Sequence, residues 1–442
     1  MRTGTIYFAL VALFYLATAC ASVDSEPTSL LEPVAPQKVA CDTCRYPVVM
    51  AHGFLASGDT YAAFQQLFTS NGYRGDEVFG FDWNSLNQTA NHVAALNAFI
   101  DQILQKTGAP KVRLMGHSAG GGLGYNFLSD PGRAAKVDGY VHIGSSVQSG
   151  PAGPGGSVPT LNIWSPDDKI VAGGNINGAT NVKLDGKDHY EVATCKEAFA
   201  AVYQFFHNKA PEHLSPVFQP IVCIGGKALT FGENTPLNNA RIDIYPLDPA
   251  TGQRLSPDPF ETWFSNAEGI WGPTNIPANT HFEFVLTPAG SNQRVIHYFR
   301  EPFIHLNVLV YLRAIPPPTS LAGLLLAGLP NSANQSVLNV FSSSKAMIYE
   351  RDTLTVSGSV LTTPQFASPQ KTAISYFLYD GNNNGVSDLS AVGLFGTFSF
   401  LNGVDMYFPT SPPGSIPVQL NQRLLRVRNI PSNQGIVVAV FD

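Results

Sequence analysis

Two hydrophobic patterns divide the chain. Between residues 47 and 208, short apolar runs alternate with segments whose apolar residues recur at helical spacing. Short apolar runs favour buried strands, and helical spacing favours amphipathic helices. The predicted strands are 47–51, 77–81, 111–115, 139–143, 160–164 and 180–184, and the predicted helices are 61–70, 93–105 and 195–207. Alternating strands and helices are typical of a parallel sheet covered on both faces. We therefore predict an α/β domain over residues 41–212.

The second pattern begins after residue 211, where long helical periodicity disappears. Runs of β-branched and aromatic residues are interrupted there by Pro, Gly and Asn, which is typical of strands joined by turns. The predicted strands are 241–245, 280–286, 295–298, 353–360 and 374–379. We predict one or two mainly antiparallel β-domains, over residues 213–315 and 316–442, with a seam near Pro316-Pro317-Pro318.

The N-terminus has the pattern of an export signal. Arg2 precedes an apolar run from Ile6 to Ala19 that is too short to span a bilayer comfortably. We predict a signal peptide over residues 1–20 and a flexible linker over 21–40, and hence an exported protein. Leu16-Ala17-Thr18-Ala19-Cys20 resembles a lipobox, which would make Cys20 a lipid-modified N-terminus. Cleavage after Ala19 or Ala21 would instead release a secreted form.

Composition narrows the class of protein. A chain of 442 residues is too long for a single core. Its 40 glycines, 33 prolines and 13% charged residues favour a loop-rich, β-rich exported protein. The formal charge of −6 offers no basic surface, so we expect no nucleic-acid partner.

Removing Cys20 leaves four cysteines, an even number that indicates disulfides in an exported chain. Four cysteines allow three pairings, and the sequence does not choose among them. Proximity favours Cys41–Cys44 with Cys195–Cys223.

Ser118 is the candidate nucleophile. It lies in Gly116-His117-Ser118-Ala119-Gly120, after a predicted strand and before a Gly-rich helix start. This Gly-x-Ser-x-Gly arrangement is typical of the nucleophile elbow, where a sharp turn lifts the Ser hydroxyl free of the sheet. Short motifs also occur by chance, and the alternative is a serine of a Gly-rich loop without a special role. The context of strand and helix favours the elbow.

An acid and a histidine follow in the order that α/β-hydrolases use. Asp167-Asp168 follows the predicted strand 160–164, and His189 follows the strand 180–184. We predict Asp168 as the catalytic acid and His189 as the base. Asp167 is expected to brace the turn, and Asp188 to face solvent.

Residues for the oxyanion hole are predicted from position. His52-Gly53-Phe54 follows the first strand, where hydrolases of this fold direct a backbone N–H into the cleft. We assign the oxyanion hole to the backbone N–H groups of Phe54 and Ala119.

These segments resemble the class 2 bacterial lipases, over about residues 46–207. The later segments 242–248 and Tyr379-Asp380 resemble the C-terminal β-domain of a related archaeal lipase group. The resemblance implies an α/β-hydrolase fold and carboxylic-ester hydrolysis, as a triacylglycerol lipase or carboxylesterase, through an acyl-enzyme on Ser118. It implies a lipid or ester substrate, bound in an apolar cleft beside Phe54, and no cofactor for the chemistry. Ala119 departs from the family, in which Met is frequent.

Two other readings stay open at this point. A polyester depolymerase uses the same three residues on an open cleft, and a surface-binding lipoprotein could carry an idle hydrolase domain. Residues 145–159 are too poor in apolar residues to form a lid helix, which predicts an open cleft. The apolar stretch Leu321 to Leu329 is either a buried strand or helix, or a surface that contacts lipid or caps the mouth of the active site.

A calcium loop is the remaining prediction. Asp380, Asn382, Asn384 and Asp388 occupy positions 1, 3, 5 and 9 of a loop with Gly385 at position 6, as in EF-hand-like sites. The twelfth position is Ala391, so the bidentate Glu is missing. The alternative is an Asn/Gly-rich turn that binds no metal.

Overall fold

The computed structural model describes residues 45–290 and 293–442. The predicted signal peptide, linker, lipobox and the cysteines Cys20, Cys41 and Cys44 lie outside these residues. No helix among the described residues has the length and apolar character to cross a bilayer.

The N-terminal half is built on a six-stranded sheet in which every neighbouring pair is parallel. Its strands are β1 (Val48–Ala51), β2 (Val78–Phe81), β3 (Val112–His117), β4 (Val137–Ile143), β5 (Thr160–Trp164) and β6 (Thr180–Lys183). They lie in the order β2-β1-β3-β4-β5-β6. The helices are α1 (Ala62–Ser70), α2 (His92–Thr107), α3 (Ala119–Leu128), α4 (Pro131–Ala134) and α5 (Lys196–His207). The predicted α/β-hydrolase architecture is confirmed.

Alternate residues of the strands pack on opposite faces of this sheet, as the two-residue period of a strand requires. Val48 of β1 belongs to one apolar cluster together with Phe68 and Phe199, which come from α1 and α5. The next residue, Val49, belongs to a second cluster with Ile100 of α2 and other residues of α2 and α3. Helices therefore cover both faces, and only the strand ends are left open for a site.

Within the described residues, the C-terminal half consists of β-strands, one short α-helix and the 3-10 turn Phe395–Thr397. Its strands are β7 (Ile221–Thr230), β8 (Arg241–Pro246), β9 (Glu261–Phe264), β10 (Ile270–Pro277), β11 (Phe282–Thr287), β12 (Ile296–Arg300), β13 (Leu312–Ala314), β14 (Leu338–Ser342), β15 (Leu354–Val356), β16 (Ser359–Val360), β17 (Ser375–Tyr379), β18 (Leu401–Asp405), β19 (Ser415–Leu420), β20 (Arg423–Arg428) and β21 (Ile436–Phe441). The helix α6 spans Leu321–Leu326. Most strand pairs are antiparallel, as predicted.

An eight-stranded sheet runs through the whole C-terminal half, in the order β18-β17-β14-β21-β12-β11-β8-β9. The last strand of the chain, β21, pairs in parallel with β12 on one side and with β14 on the other. Residues 213–315 and 316–442 therefore share one sheet, and the predicted division at residue 316 stays a prediction.

Two details differ from the sequence analysis. The predicted strand 353–360 is a hairpin of β15 and β16, because Ser357 and Gly358 both take positive φ values, 48° and 84°, as a tight turn between two strands requires. The predicted Cys195–Cys223 bond is wrong, since Cys195 is a free thiol. Cys195 precedes α5 in the N-terminal α/β half, called the hydrolase half below, whereas Cys223 lies within β7 of the C-terminal, β-rich half. Proximity in sequence therefore does not make these two cysteines a pair.

Candidate active site

Ser118 lies at a sharp turn between β3 and α3 with φ 54° and ψ −122°, a backbone conformation that is costly for a residue other than glycine. Only glycine fits two positions before and two positions after it. A Cβ atom at Gly116 would lie 2.3 Å from the carbonyl oxygen of Gly120, and one at Gly120 would lie 2.3 Å from that of Ala51. The predicted elbow is thus present, and its geometry explains the two flanking glycines of the motif.

The structure brings the three predicted residues into one hydrogen-bonded row. His189 Nε2 lies 3.0 Å from Ser118 Oγ, and His189 Nδ1 lies 2.6 Å from Asp168 Oδ2. The other oxygen of Asp168 accepts hydrogen bonds from the backbone N–H groups of Ile170 and Val171, at 2.8 and 3.0 Å. Three distant segments therefore meet at the carboxyl edge of the parallel sheet, where β3, β5 and β6 end.

The charge of Asp168 follows from its partners. Burial raises the pKa of this carboxyl group, but the hydrogen bond and charge interaction with His189 and the two backbone N–H donors outweigh burial and hold the pKa below its ordinary value. An ionised Asp168 accepts the Nδ1 proton of His189. Nε2 of the same ring is then left as the acceptor that faces the Ser118 hydroxyl.

Asp167 lies outside this row. Its side chain is half exposed, and its Oδ2 accepts a hydrogen bond of 2.7 Å from the backbone N–H of Gly186. Asp167 therefore joins the loops after β5 and β6, in the bracing position that the sequence analysis expected for it.

The expectation for Asp188 is wrong, because this residue is buried rather than solvent-facing, with 4% of its surface exposed. Its Oδ1 accepts hydrogen bonds from the backbone N–H groups of Tyr190 and Glu191. Its Oδ2 lies 2.9 Å from the guanidinium of Arg351 and 3.1 Å from the backbone N of Ala346. The last two residues belong to the β-rich half, so an ion pair across the two halves holds the loop of the neighbouring histidine.

His117 also supports His189 and was not predicted to do so. Its Nε2 donates a hydrogen bond of 2.8 Å to the backbone oxygen of His189, and the two rings lie 4.7 Å apart. Burial, and secondly the proximity of His189, lower the pKa of His117 to about 3, so it stays neutral near pH 7. Its place inside the elbow motif was the available sequence signal.

The two predicted oxyanion-hole residues flank Ser118. Ala119 is exposed and is the first residue of α3, where a backbone N–H has no acceptor within the helix. The backbone before Phe54 lies against the serine, since a Cβ atom at Gly53 would be 3.0 Å from Ser118 Cβ. Among the described residues, the backbone N–H of Phe54 has no hydrogen-bond acceptor. Both residues therefore adjoin Ser118, and their role as the oxyanion hole stays a prediction.

A largely apolar cavity, open to solvent at one end, begins at Ser118 and His189. The β-rich half supplies much of its wall, from the end of β7, from the eight-stranded sheet and residues next to its strands, and from the segment around α6. These residues include Phe231, Leu326, Leu329, Phe341, Phe400 and Val438. Apart from the stretch Leu321 to Leu329, for which a place at the mouth of the active site was one alternative, the sequence analysis missed this wall, because residues so far apart in sequence leave no common local pattern.

Two segments that the sequence singled out can now be placed. Residues 145–159 contain no helix longer than the single 3-10 turn Pro154–Gly156, so they form no lid helix, as predicted. In the stretch Leu321 to Leu329, Leu326 and Leu329 line the cavity, while Leu321 and Leu324 are exposed. The β-rich half therefore walls the site, which the prediction of an open cleft did not anticipate.

Phe400 links the cavity wall to the histidine. Its ring stacks on the imidazole of His189, with centroids 5.8 Å apart and an interplanar angle of 26°. The backbone of Phe400 has φ 75°, which is uncommon for a bulky residue. One aromatic side chain of the β-rich half thus limits both the space beside His189 and the movement of its ring.

The predicted calcium residues form a loop whose polar groups hydrogen-bond to one another. Oxygens of Asp380, Asn382 and Asn384 accept hydrogen bonds from backbone N–H groups of the loop itself, and the amide groups of both Asn residues donate to Asp388. Within residues 45–290 and 293–442, no group of three or more His, Cys, Asp or Glu side chains is arranged to hold a metal ion. This arrangement fits the alternative of an Asn/Gly-rich turn, and the calcium site stays a prediction.

Family models match three parts of the chain. The model of the alpha/beta hydrolase fold matches residues 46–156, and the lipase C-terminal domain matches residues 221–317. A further C-terminal domain model matches residues 338–442. A triacylglycerol lipase of Vibrio cholerae serotype O1 is 35% identical over 111 residues, which cover 23% of this chain and 35% of that protein. The match thus spans about a third of the length of this relative.

Solved structures that are similar to this chain include two lipases. That of Bacillus licheniformis is 15% identical with a TM-score of 0.30, covering 37% of this chain and 93% of its own. Lipase B of Aspergillus fumigatus is 18% identical with a TM-score of 0.31, covering 39% of this chain and 55% of its own. Residues 46–156 thus match the alpha/beta hydrolase fold and residues 221–317 match the lipase C-terminal domain, so the chain is similar to α/β-hydrolases of lipase or esterase type.

Proposed function

We propose that the protein is a serine carboxylic-ester hydrolase of lipase type, with Ser118 as nucleophile, His189 as base and Asp168 as the acid that orients it. The observation that carries this proposal is the hydrogen-bonded row from Ser118 Oγ through His189 to Asp168, which opens onto an apolar cavity. A nucleophile and a base within hydrogen-bond reach, with the base held by a third group, are the requirements for acyl transfer.

In the proposed ester hydrolysis, each step uses one of the groups at this site. Ser118 Oγ attacks the acyl carbon while its proton moves to His189 Nε2, and Asp168 stabilises the imidazolium that forms. The negative charge on the former carbonyl oxygen is stabilised by the N–H groups of Phe54 and Ala119. The C–O bond to the alcohol then breaks, and His189 donates its proton to that alcohol. In the second half, His189 takes a proton from water, whose oxygen bonds to the acyl carbon. The bond between this carbon and Ser118 Oγ then breaks, His189 returns the proton to Oγ, and the carboxylic acid leaves.

The cavity supports a substrate with a flexible apolar acyl chain. Its wall is mostly aliphatic and aromatic, so each methylene that enters it leaves water at a gain of about 0.8 kcal/mol. A polyester depolymerase has to hold a polymer strand that continues past the reacting ester, and a walled cavity favours a single chain end. We therefore place a fatty acyl ester, presented as a lipid, ahead of a polymer as the substrate.

Replacing Ser118 by Ala tests the proposal. We expect hydrolysis of p-nitrophenyl esters to fall by at least about 10³-fold, and labelling by a fluorophosphonate probe to disappear, because both need the Oγ nucleophile. Ser146→Ala is a matched control, since Ser146 is an exposed serine near the site whose hydroxyl is outside the row. Turnover retained by Ser118→Ala would refute the assignment. Absence of labelling in the unaltered protein would favour the reading of an idle hydrolase domain.

The location of the enzyme depends on its N-terminal segment, which lies outside the described residues. We propose that residues 1–20 direct export, which ends in a secreted or a lipid-anchored form with a lipid or ester substrate and no nucleic-acid partner. Metabolic labelling with a palmitate analogue separates the two forms. Label on the wild type that is lost in Cys20→Ala supports the anchored form, and unlabelled protein in the medium supports the secreted one.

A further inference from the structure

The direction of the Phe54 N–H group is set by the carbonyl group of the preceding residue. In a trans peptide the C=O of Gly53 and the N–H of Phe54 belong to one plane and point in opposite directions. The carbonyl oxygen of Gly53 lies 2.8 Å from His52 Nδ1, and the backbone N–H of Ala56 approaches it at 3.4 Å. A donor that holds this oxygen on one side therefore turns the N–H of Phe54 to the other side.

His52 is that donor only in one tautomer, and its surroundings select this tautomer. The backbone N of Trp83 lies 3.2 Å from His52 Nε2 and can only donate, so Nε2 has to be the unprotonated acceptor. The proton is then on Nδ1, where it is donated to Gly53. His52 is fully buried, and burial lowers its pKa despite the opposing charge of Asp82, so the ring stays neutral.

Asn234 reaches this histidine from the β-rich half. Its Nδ2 lies 3.2 Å from His52 Nε2 and donates to the carbonyl oxygens of Ala56 at 2.8 Å and Trp83 at 3.0 Å. Two carbonyl acceptors fix the amide with its NH₂ group toward the hydrolase half. Asn234 is buried, 182 residues away from His52 in sequence, and it joins the loops that follow β1 and β2.

We propose that Asn234 is a positioning residue for the oxyanion hole. Its hydrogen bonds to the carbonyl oxygens of Ala56 and Trp83 fix the two loops around His52, and its NH₂ group beside Nε2 offers no acceptor for a proton on that nitrogen. Asn234 thereby holds the Nδ1–H tautomer against Gly53 and keeps the N–H of Phe54 directed at the reacting oxygen. Asn234 touches no reacting atom and acts only through His52 and the loop. This inference rests on the proposed ester hydrolysis, and it assigns to the β-rich half a part in transition-state stabilisation.

Asn234→Gly removes the amide without straining the backbone, because Asn234 has φ 57°, which glycine adopts freely. Asn239→Gly is the matched control, since Asn239 has the same φ of 57° and is exposed. Two inhibitors with the same alkyl chain provide the readout. A trifluoromethyl ketone accepts Ser118 Oγ at its carbonyl carbon, the serine proton passes to His189, and the ketone oxygen becomes an oxyanion. The corresponding alcohol occupies the same cavity and forms no oxyanion.

We expect Asn234→Gly to weaken inhibition by the trifluoromethyl ketone about tenfold and to leave inhibition by the alcohol within twofold. With a p-nitrophenyl ester, kcat should fall about tenfold while KM changes less than twofold. These values are a fraction of the roughly 10²- to 10³-fold loss caused by removing an oxyanion-hole donor, because Trp83 still holds the tautomer. Asn239→Gly should match the wild type in all four measurements.

Equal weakening of both inhibitors, or no weakening of either, would overturn the role of Asn234 while leaving the ester hydrolase intact. A wild-type protein that neither turns over esters nor binds the ketone would instead overturn the proposed function itself. If Asn234→Gly does not fold, ¹⁵N NMR of the histidines in the wild-type full chain still decides. A His52 with its proton on Nδ1 supports the proposal, and one with its proton on Nε2 contradicts it.

Discussion

Leu326→Trp should shorten the acyl chain that the enzyme accepts. Leu326 lies on α6, is 4% exposed and lines the cavity that begins at Ser118. The larger indole group would extend into this cavity and exclude the distal part of a long acyl chain. The first carbons of the chain lie beside Ser118, so short acyl groups should be unaffected.

The size of the expected change in kcat/KM follows from the apolar surface that the acyl chain buries. Each CH₂ group buried is worth about 0.8 kcal/mol, or about a fourfold change in kcat/KM. From a butyrate to an octanoate ester, four methylenes add up to about 3 kcal/mol, so kcat/KM of the wild type should rise by up to about 200-fold. In Leu326→Trp the octanoate value should fall toward the butyrate value, while acetate and butyrate esters stay within about threefold of the wild type.

The assay is a series of p-nitrophenyl esters from acetate to decanoate, each kept below its solubility limit so that no lipid surface forms. Leu321→Trp is the matched control, because Leu321 is on the same helix and is 52% exposed. Overpacking costs about 1–3 kcal/mol, so Tm is measured for each variant, and Leu329→Trp serves as the substitute if Leu326→Trp does not fold. A chain-length profile of Leu326→Trp that rises as steeply as that of the wild type would refute the placement of the acyl chain.

Two further predictions concern the carboxylates. Asp168→Asn should lower kcat by about 10⁴-fold, because an amide at this position no longer holds the Nδ1 proton of His189. Asp167→Asn should change kcat less than threefold, and the opposite result for the two variants would exchange the two assignments. The pKa of Asp168 is lower in the folded state than in the unfolded state, so its ionisation stabilises the fold above about pH 4, and this contribution is lost as the pH falls. The Tm of the wild type should therefore fall more than the Tm of Asp168→Asn between pH 5 and pH 3. For the loop after Asp380, whose oxygens are satisfied by its own N–H groups, EDTA should leave Tm within about 1 °C, and a fall restored by calcium alone would show that the loop binds the ion.

The sequence alone was sufficient for those features whose cause is local. The sharp turn at Ser118, which has a positive φ, leaves room only for glycine at positions 116 and 120. The steric requirement of the elbow therefore falls on residues within two positions of Ser118, where the sequence shows it directly. The placement of Asp168 and His189 near Ser118 was predictable because each follows a strand of a parallel sheet, and the carboxyl ends of such strands meet at one edge. Strand and helix positions of the hydrolase half followed from periodicity in the same way.

The contacts around Ser118, His189 and Asp168 could be seen only in the tertiary structure. Asp188 was expected in solvent, but Arg351, 163 residues later, lies 2.9 Å from its carboxylate. Phe400 on the imidazole of His189 and Asn234 on His52 likewise come from the β-rich half. A contact between residues so far apart imposes no periodicity or spacing on either segment. Its free energy depends on how the surfaces of the two halves pack against each other, and this packing determines the cavity wall and the ion pair between Asp188 and Arg351.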